Sequence, residues 1–186
     1  MFKEKKPVFA LSTPVGKSAI ALFRISGTKS HQIVKKISSN KKPRSNKPEL
    51  NQIVDIQKKT IDQTITTFFN SPHSYTGENM VEISCHGSIA IINKITETLL
   101  KQGISLAEPG EFTKRALDND KLDITQVEAL SDLINAETEK QRILALKNLE
   151  GHLSDFSKNL TKKMMKMLAD IEALIDFSDE ELPKNL

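Results

Sequence analysis

Two periodicities divide this chain. Before Gly110, apolar and polar residues alternate along short stretches; after it, apolar residues recur every three or four positions. In "MVEISCH" (80–86), Val81, Ile83 and Cys85 share one side of a strand, and Glu82, Ser84 and His86 share the other. In "AIALFRIS" (19–26), the same rule puts Arg24 on one side with Ile20 and Leu22. The pattern predicts strands over 8–11, 19–26, 53–56, 64–69 and 80–85, and a further one over 104–107. Residues 53–69 read as a hairpin turning at Lys58, Lys59 and Thr60. One helix opens near Ser26 and Gly27 and buries Ile33, Val34 and Ile37. A second, over 88–102, buries Ile92, Ile95 and Leu99 and stops at Gly103. Mixed strands and helices, followed by helices alone, give an α+β fold class.

The change falls near Glu108, Pro109 and Gly110, which divides the chain into a mixed α/β domain (1–120) and a helical one (121–186). "TQVE" (125–128) reads as a capping box on Thr125, and "TEKQ" (138–141) as another on Thr138. Beyond them Leu146, Leu149, Leu153, Phe156, Leu160, Met164, Met167, Ile171 and Leu174 form one apolar seam. At 1.5 Å per residue a seam of about 30 residues is roughly 45 Å of helix. Gly151 interrupts it at a cost of about 1 kcal/mol and marks a bend. A stripe this long needs covering, and the helix over 127–136 supplies one partner only. The long helices therefore read as an incomplete bundle: either the chain is truncated or a dimer completes the core.

Composition narrows the function classes. At 186 residues there is room for one domain, or for one domain with an appendage. No apolar run approaches the ~20 residues that span a bilayer, and the start lacks the apolar stretch of a secretory signal. The single cysteine, Cys85, excludes an intramolecular disulfide and suits a reducing, cytoplasmic setting. A net charge of +3 does not announce a nucleic-acid binder, yet residues 29–59 hold nine Lys/Arg against Glu49 and Asp55. That excess could be an electrostatic footprint for RNA. Without interleaved aromatics, "KKISSNKKPRSNKP" reads rather as a solvated loop. Gly16-Lys17-Ser18 looks like the end of a phosphate loop, but Leu11 stands where the first glycine belongs and a strand follows instead of a helix.

Arg24 and Glu82 are the chemical anomalies, because a charge among aliphatic residues costs several kcal/mol unless it is paired. Two readings stay open. They form a structural ion pair, or they line a pocket with one anion-binding and one cation- or N–H-binding group. Tyr75, in the turn-rich "NSPHSYTGEN", reads as a loop anchor; His86 could be a base but lacks a triad-like spacing. Cys85 is packing, and no ligand spacing suggests a metal.

Four blocks, "TPVGKSAIALFRISG", "SYTGENMVEISCHGS", "AEPGEFTKRALDNDKLDITQVEALSDLINAET" and "LEGHLSD…ALIDFSDEE", together resemble the N-terminal portion of the MnmE (TrmE) family of tRNA-modification GTPases. The resemblance implies an aminomethyltransferase-like folate-binding domain and the first part of a helical domain. In the family a Ras-like domain carrying GTP, Mg and K is inserted there; these residues contain no GTPase motif and no late reactive cysteine. It further implies a homodimer formed through the N-terminal domain, an FAD-containing partner protein, and tRNA as the object of C5 aminomethyl-type modification at the wobble uridine. The implied cofactor is a one-carbon tetrahydrofolate, 5-formyl- or 5,10-methylene-type. Its contacts fall on the arginine of "FRISG", Arg24, the glutamate of "MVEIS", Glu82, and the lysine of "NDKLD", Lys121. Departures from the family pattern include Lys17, Ser88, Leu117, Asp118 and Asp120, and Ser88 for glycine is expected to narrow a close backbone approach. An autonomous folate-dependent aminomethyl or formyl transferase, and a non-catalytic dimerisation module, are the competing functions.

Overall fold

Alternation builds the sheet. The computed structural model describes residues 5–176; the strands are β1 (Val8–Leu11), β2 (Ser18–Ser26), β3 (Glu49–Val54), β4 (Thr60–Phe69), β5 (Met80–Gly87) and β6 (Ser105–Leu106). They form a six-stranded sheet in the order β3-β4-β5-β2-β1-β6. Every pairing is antiparallel except β1 with β6. Ala21, Phe23 and Ile25 from β2 and Val81, Ile83 and Cys85 from β5 are buried in one cluster. Two helices supply its other half: Ile33 and Val34 of α1 (Ser30–Lys36), and Ile92, Ile95 and Leu99 of α2 (Ile89–Lys101). Both helices therefore cover the same sheet face, which leaves Ile20, Leu22, Arg24, Glu82 and Ser84 on the opposite one.

Two backbone details bear on the sequence reading. Gly16-Lys17-Ser18 leads directly into β2. A Cβ at Gly87 would sit 2.4 Å from the Ser18 carbonyl oxygen, so the close approach belongs to Gly87. Ser88, the residue before α2, has an ordinary extended φ of −98° and needs no glycine.

The chain divides into two compact units, Met1–Leu122 and Asp123–Leu186. The first also contains α3 (Glu111–Asp118). The second holds α4 (Ile124–Ile134), α5 (Glu139–Leu149) and α6 (His152–Asp176). The α4 cap differs from expectation. Asp123, two residues before Thr125, accepts from the Gln126 N–H, and the Gln126 side chain accepts from the Asp123 N–H. A carboxylate at that position outcompetes the hydroxyl, and Thr125 instead donates to it. The box on Thr138 forms with Gln141 as read. Gly151 does more than bend the seam: at φ +98° it ends one helix and precedes the next. The closing "FSDEELPKNL", whose first five residues end the last family block, lies outside the described residues.

Candidate functional site

The register of β2, β4 and β5 sets the site. Cα partners place Thr67, Glu82, Arg24 and Ala10 in one row across four strands. Arg24 donates from Nε (3.0 Å) and Nη2 (2.8 Å) to the same carboxylate oxygen, Glu82 Oε1. The two side chains retain 25% and 22% of their exposure, so the pair is sheltered but reachable. Of the two readings left open by the sequence, the mutual ion pair is present.

Aromatic rings roof the guanidinium. Its carbon lies 5.0 Å from the Tyr75 ring centroid and 5.8 Å from that of Phe112, within cation–π range. Phe112 sits on α3, and the Tyr75 hydroxyl bonds the Thr113 hydroxyl at 2.9 Å, which fixes the loop over 70–79 to that helix. Tyr75 thus anchors the loop, as its setting suggested, and covers Arg24 as well.

Beneath this roof runs a buried polar chain. Arg115, 4% exposed, donates to Glu78 at 2.9 Å, to Glu111 at 2.6 Å and to the Lys6 carbonyl at 3.0 Å. Glu78 also accepts from Ser26 at 2.8 Å, and the Ser26 hydroxyl bonds that of Thr76 at 2.7 Å. Asn119 donates to the Thr76 carbonyl at 2.7 Å. A buried guanidinium whose hydrogen-bond partners are all acceptors is the arrangement that makes such a charge tolerable. Sequence reasoning missed Arg115, Glu78 and Phe112. The Glu111/Arg115 spacing of four hinted at a helical pair, but burial of that pair follows only from the loop that packs on it.

Lys121 occupies a different place. Its amine donates to the Pro72 carbonyl at 3.1 Å, and Gly77 (φ +75°) passes so close that a Cβ there would lie 3.2 Å from Lys121 Cγ. The structure therefore brings Arg24 and Glu82 into contact and ties Lys121 to the same loop. Among the described residues no hydrogen bond joins Lys121 to either of them. A cavity of about 480 Å³ opens along α3, lined by Lys5, Glu108, Gly110, Glu111, Lys114 and Asp118, and none of the three expected residues lines it.

His86 gains a partner that its sequence neighbourhood did not show. Asp62, from the adjacent strand, accepts from the His86 N–H at 2.8 Å and meets its Nδ1 at 2.8 Å. Burial, with Asp62 adding to it, pushes the Cys85 thiol up to about 11, so it is unreactive packing. Among the described residues no cluster of His, Cys, Asp or Glu is arranged to hold a metal.

A mixed sheet with helices on one face and an aromatic-roofed arginine–carboxylate pair on the other, followed by an all-helical unit, defines a mixed α/β domain succeeded by a helical one. Residues 7–121 match the family described as "GTP-binding protein TrmE N-terminus", and residues 124–185 match "MnmE helical domain". The chain belongs to the MnmE family of tRNA-modification GTPases. It is 42% identical over 182 residues to the tRNA modification GTPase MnmE of Aquifex aeolicus, a match covering 96% of this chain and 40% of that protein. The Fervidobacterium nodosum and Rickettsia rickettsii proteins of the same name are 45% and 44% identical, each match covering 95% of this chain and 40% of the relative. The chain thus spans about two fifths of the curated relatives it matches.

Proposed function

We propose that this chain is the tetrahydrofolate-binding and dimerising part of a tRNA-modification GTPase. In the whole protein it would support C5 aminomethyl-type modification of a tRNA wobble uridine, together with an FAD-containing partner. The observation that carries this reading is the geometry of the Arg24–Glu82 pair. Both contacts end on Oε1, and among the described residues Glu82 Oε2 and Arg24 Nη1 take no hydrogen bond. A carboxylate oxygen beside aromatic rings fits the donor edge of a pterin, where a ring N–H adjoins an amino group. The remaining Arg24 N–H and the Lys121 amine fit carbonyl oxygens or the anionic glutamate tail. A ligand would share the ion pair instead of replacing it, which avoids stranding either charge. The folate supplies a one-carbon unit; the protein groups hold and orient it.

Dimerisation has support on the same sheet face. Leu50, Ile65, Ser84 and Leu22 are in register across four strands, and Leu50, Ile65 and nearby Ile20 are 74%, 48% and 61% exposed. A second copy would cover this apolar row. Leu50→Asp is expected to shift sedimentation toward monomer. The 186 residues contain no G-x-x-x-x-G-K-[ST] segment, so no GTP hydrolysis is expected of this chain alone.

Calorimetric titration with 5-formyltetrahydrofolate tests the site. The unaltered chain should release heat of binding; Arg24→Ala and Glu82→Ala, checked as folded by circular dichroism, should not. If both variants bind as the unaltered chain does, the site lies elsewhere. The Asp62–His86 pair favours a second reading, an autonomous folate-dependent transferase, and one-carbon transfer by this chain without its partners would establish it.

A further inference from the structure

We propose that the lysine cluster at the C-terminal end of α1 and the β3–β4 turn is a docking surface for the phosphate backbone of tRNA. The inference rests on the reading above only in taking tRNA as the substrate of the whole protein.

The lysines of residues 29–59 do not belong to one solvated loop. The Val54 N–H donates to the Ile37 carbonyl (2.8 Å) and the Ser39 N–H to the Gln52 carbonyl (2.9 Å), which joins the end of α1 to β3. Lys58, at φ +66°, forms the β3–β4 turn, and its amine donates to the Lys36 carbonyl at 3.1 Å. The Lys41 amine donates to the carbonyls of Lys35 (2.6 Å) and Ser38 (2.7 Å). Lys35, Lys36, Lys41, Lys58 and Lys59 thereby gather at one place, although the sequence spreads them over 25 positions. Carbonyl acceptors fix the Lys41 and Lys58 amines without neutralising them.

Carboxylates that could quench the cluster are engaged elsewhere. Glu49 holds Arg44 at 2.6 Å, and Asp55 is buried, capping the Lys59 N–H at 2.9 Å. On neighbouring α2, Glu97 pairs with Lys94 and Lys101. Among the described residues no ion pair involves Lys35, Lys36, Lys41, Lys42, Lys58 or Lys59. Residues 29–59 carry nine of the 27 Lys/Arg and two of the 24 Asp/Glu; the remainder, eighteen against twenty-two, is net negative. A polyanion is therefore attracted to this segment more than to the rest of residues 1–122, where ten Lys/Arg meet nine Asp/Glu. The segment has no Phe, Tyr or Trp, so the contact would be to phosphates and not to stacked bases, and would not depend on sequence.

The experiment is fluorescence anisotropy of end-labelled bulk tRNA with this chain across a salt series. With about four phosphate contacts, affinity should fall on the order of 10²-fold between 50 and 200 mM salt. The quadruple variant Lys35→Gln, Lys36→Gln, Lys58→Gln, Lys59→Gln should weaken binding about tenfold or more at low salt and flatten the salt slope by about 3. A control with the same loss of charge on α6, Lys158→Gln, Lys162→Gln, Lys163→Gln, Lys166→Gln, should stay within about twofold of the unaltered chain. Equal weakening by both quadruple variants, no effect of the first, or saturable binding to anionic vesicles but not to tRNA would overturn the proposal. Calorimetry with 5-formyltetrahydrofolate on the first variant reports the folate site separately, so failure at one surface is not mistaken for failure at the other.

Discussion

The two units of this chain bury their apolar residues to opposite degrees. In the first, Phe9, Phe23, Ile25, Ile83, Ile95 and Leu99 have no exposed surface. In the second, the buried side chains among the described residues are small, Ala129, Ala145 and Ser154, while Leu153, Phe156, Leu160, Met164, Met167, Ile171 and Leu174 are all more than 40% exposed. A sheet covered by two helices closes its own core. Three helices with one long stripe do not, and their ends are held by caps: Asp123 on α4, Thr138 on α5. Strand alternation can thus complete a core within one unit, whereas a helical stripe presupposes more surface than its neighbours here provide.

The sharpest way to break that contrast is a core deletion. Phe23→Ala should cost about 3–5 kcal/mol. Near-ultraviolet circular dichroism follows it, because Tyr75 is the only tyrosine and there is no tryptophan, so the signal reports the first unit. Next in size is Arg115→Ala, expected to cost about 3 kcal/mol by leaving Glu78 buried without its cation. Adding Glu78→Leu to Arg115→Met should recover most of that loss in urea unfolding, which would identify the stranded charge as the cause.

A smaller effect is expected from the helical unit. Asp123→Ala should cost about 1 kcal/mol as a lost N-cap. Hydrogen bonds from Ser154, Thr125 and the Gln126 N–H hold the Asp123 carboxyl down at about 2. Its folded value lies below the unfolded one, so its stabilisation is complete above about pH 4 and fades as pH falls through 2. The gap between Asp123→Ala and the unaltered chain should accordingly narrow when urea unfolding is repeated in acid. Smallest of all, Met164→Ala should change stability by less than about 0.5 kcal/mol, since that side chain is 61% exposed. A larger loss would mean the stripe is already covered.

Legibility followed the range of the interaction. Strands β1, β2 and β5 were readable because their inward residues repeat every second position, and α2 because Ile92, Ile95 and Leu99 fall on one face. The α4 cap was misplaced by two residues, since Thr125 and Asp123 both satisfy the local pattern and the choice depends on which oxygen reaches Gln126. At the site, alternation singled out Arg24 and Glu82, but not that one carboxylate oxygen would take both contacts. Asp62 at His86 was invisible because the two are 24 positions apart and meet through strand pairing.

The sequence alone determined which faces are apolar, where helices begin to be possible, and which charges sit among aliphatic neighbours, because these depend on periods of two or 3.6 residues. Only the tertiary structure decided that Tyr75 and Phe112 roof Arg24, that Arg115 is buried, and that dispersed lysines converge. Those facts depend on register and packing between distant segments, where a shift of one residue turns a side chain to the other face.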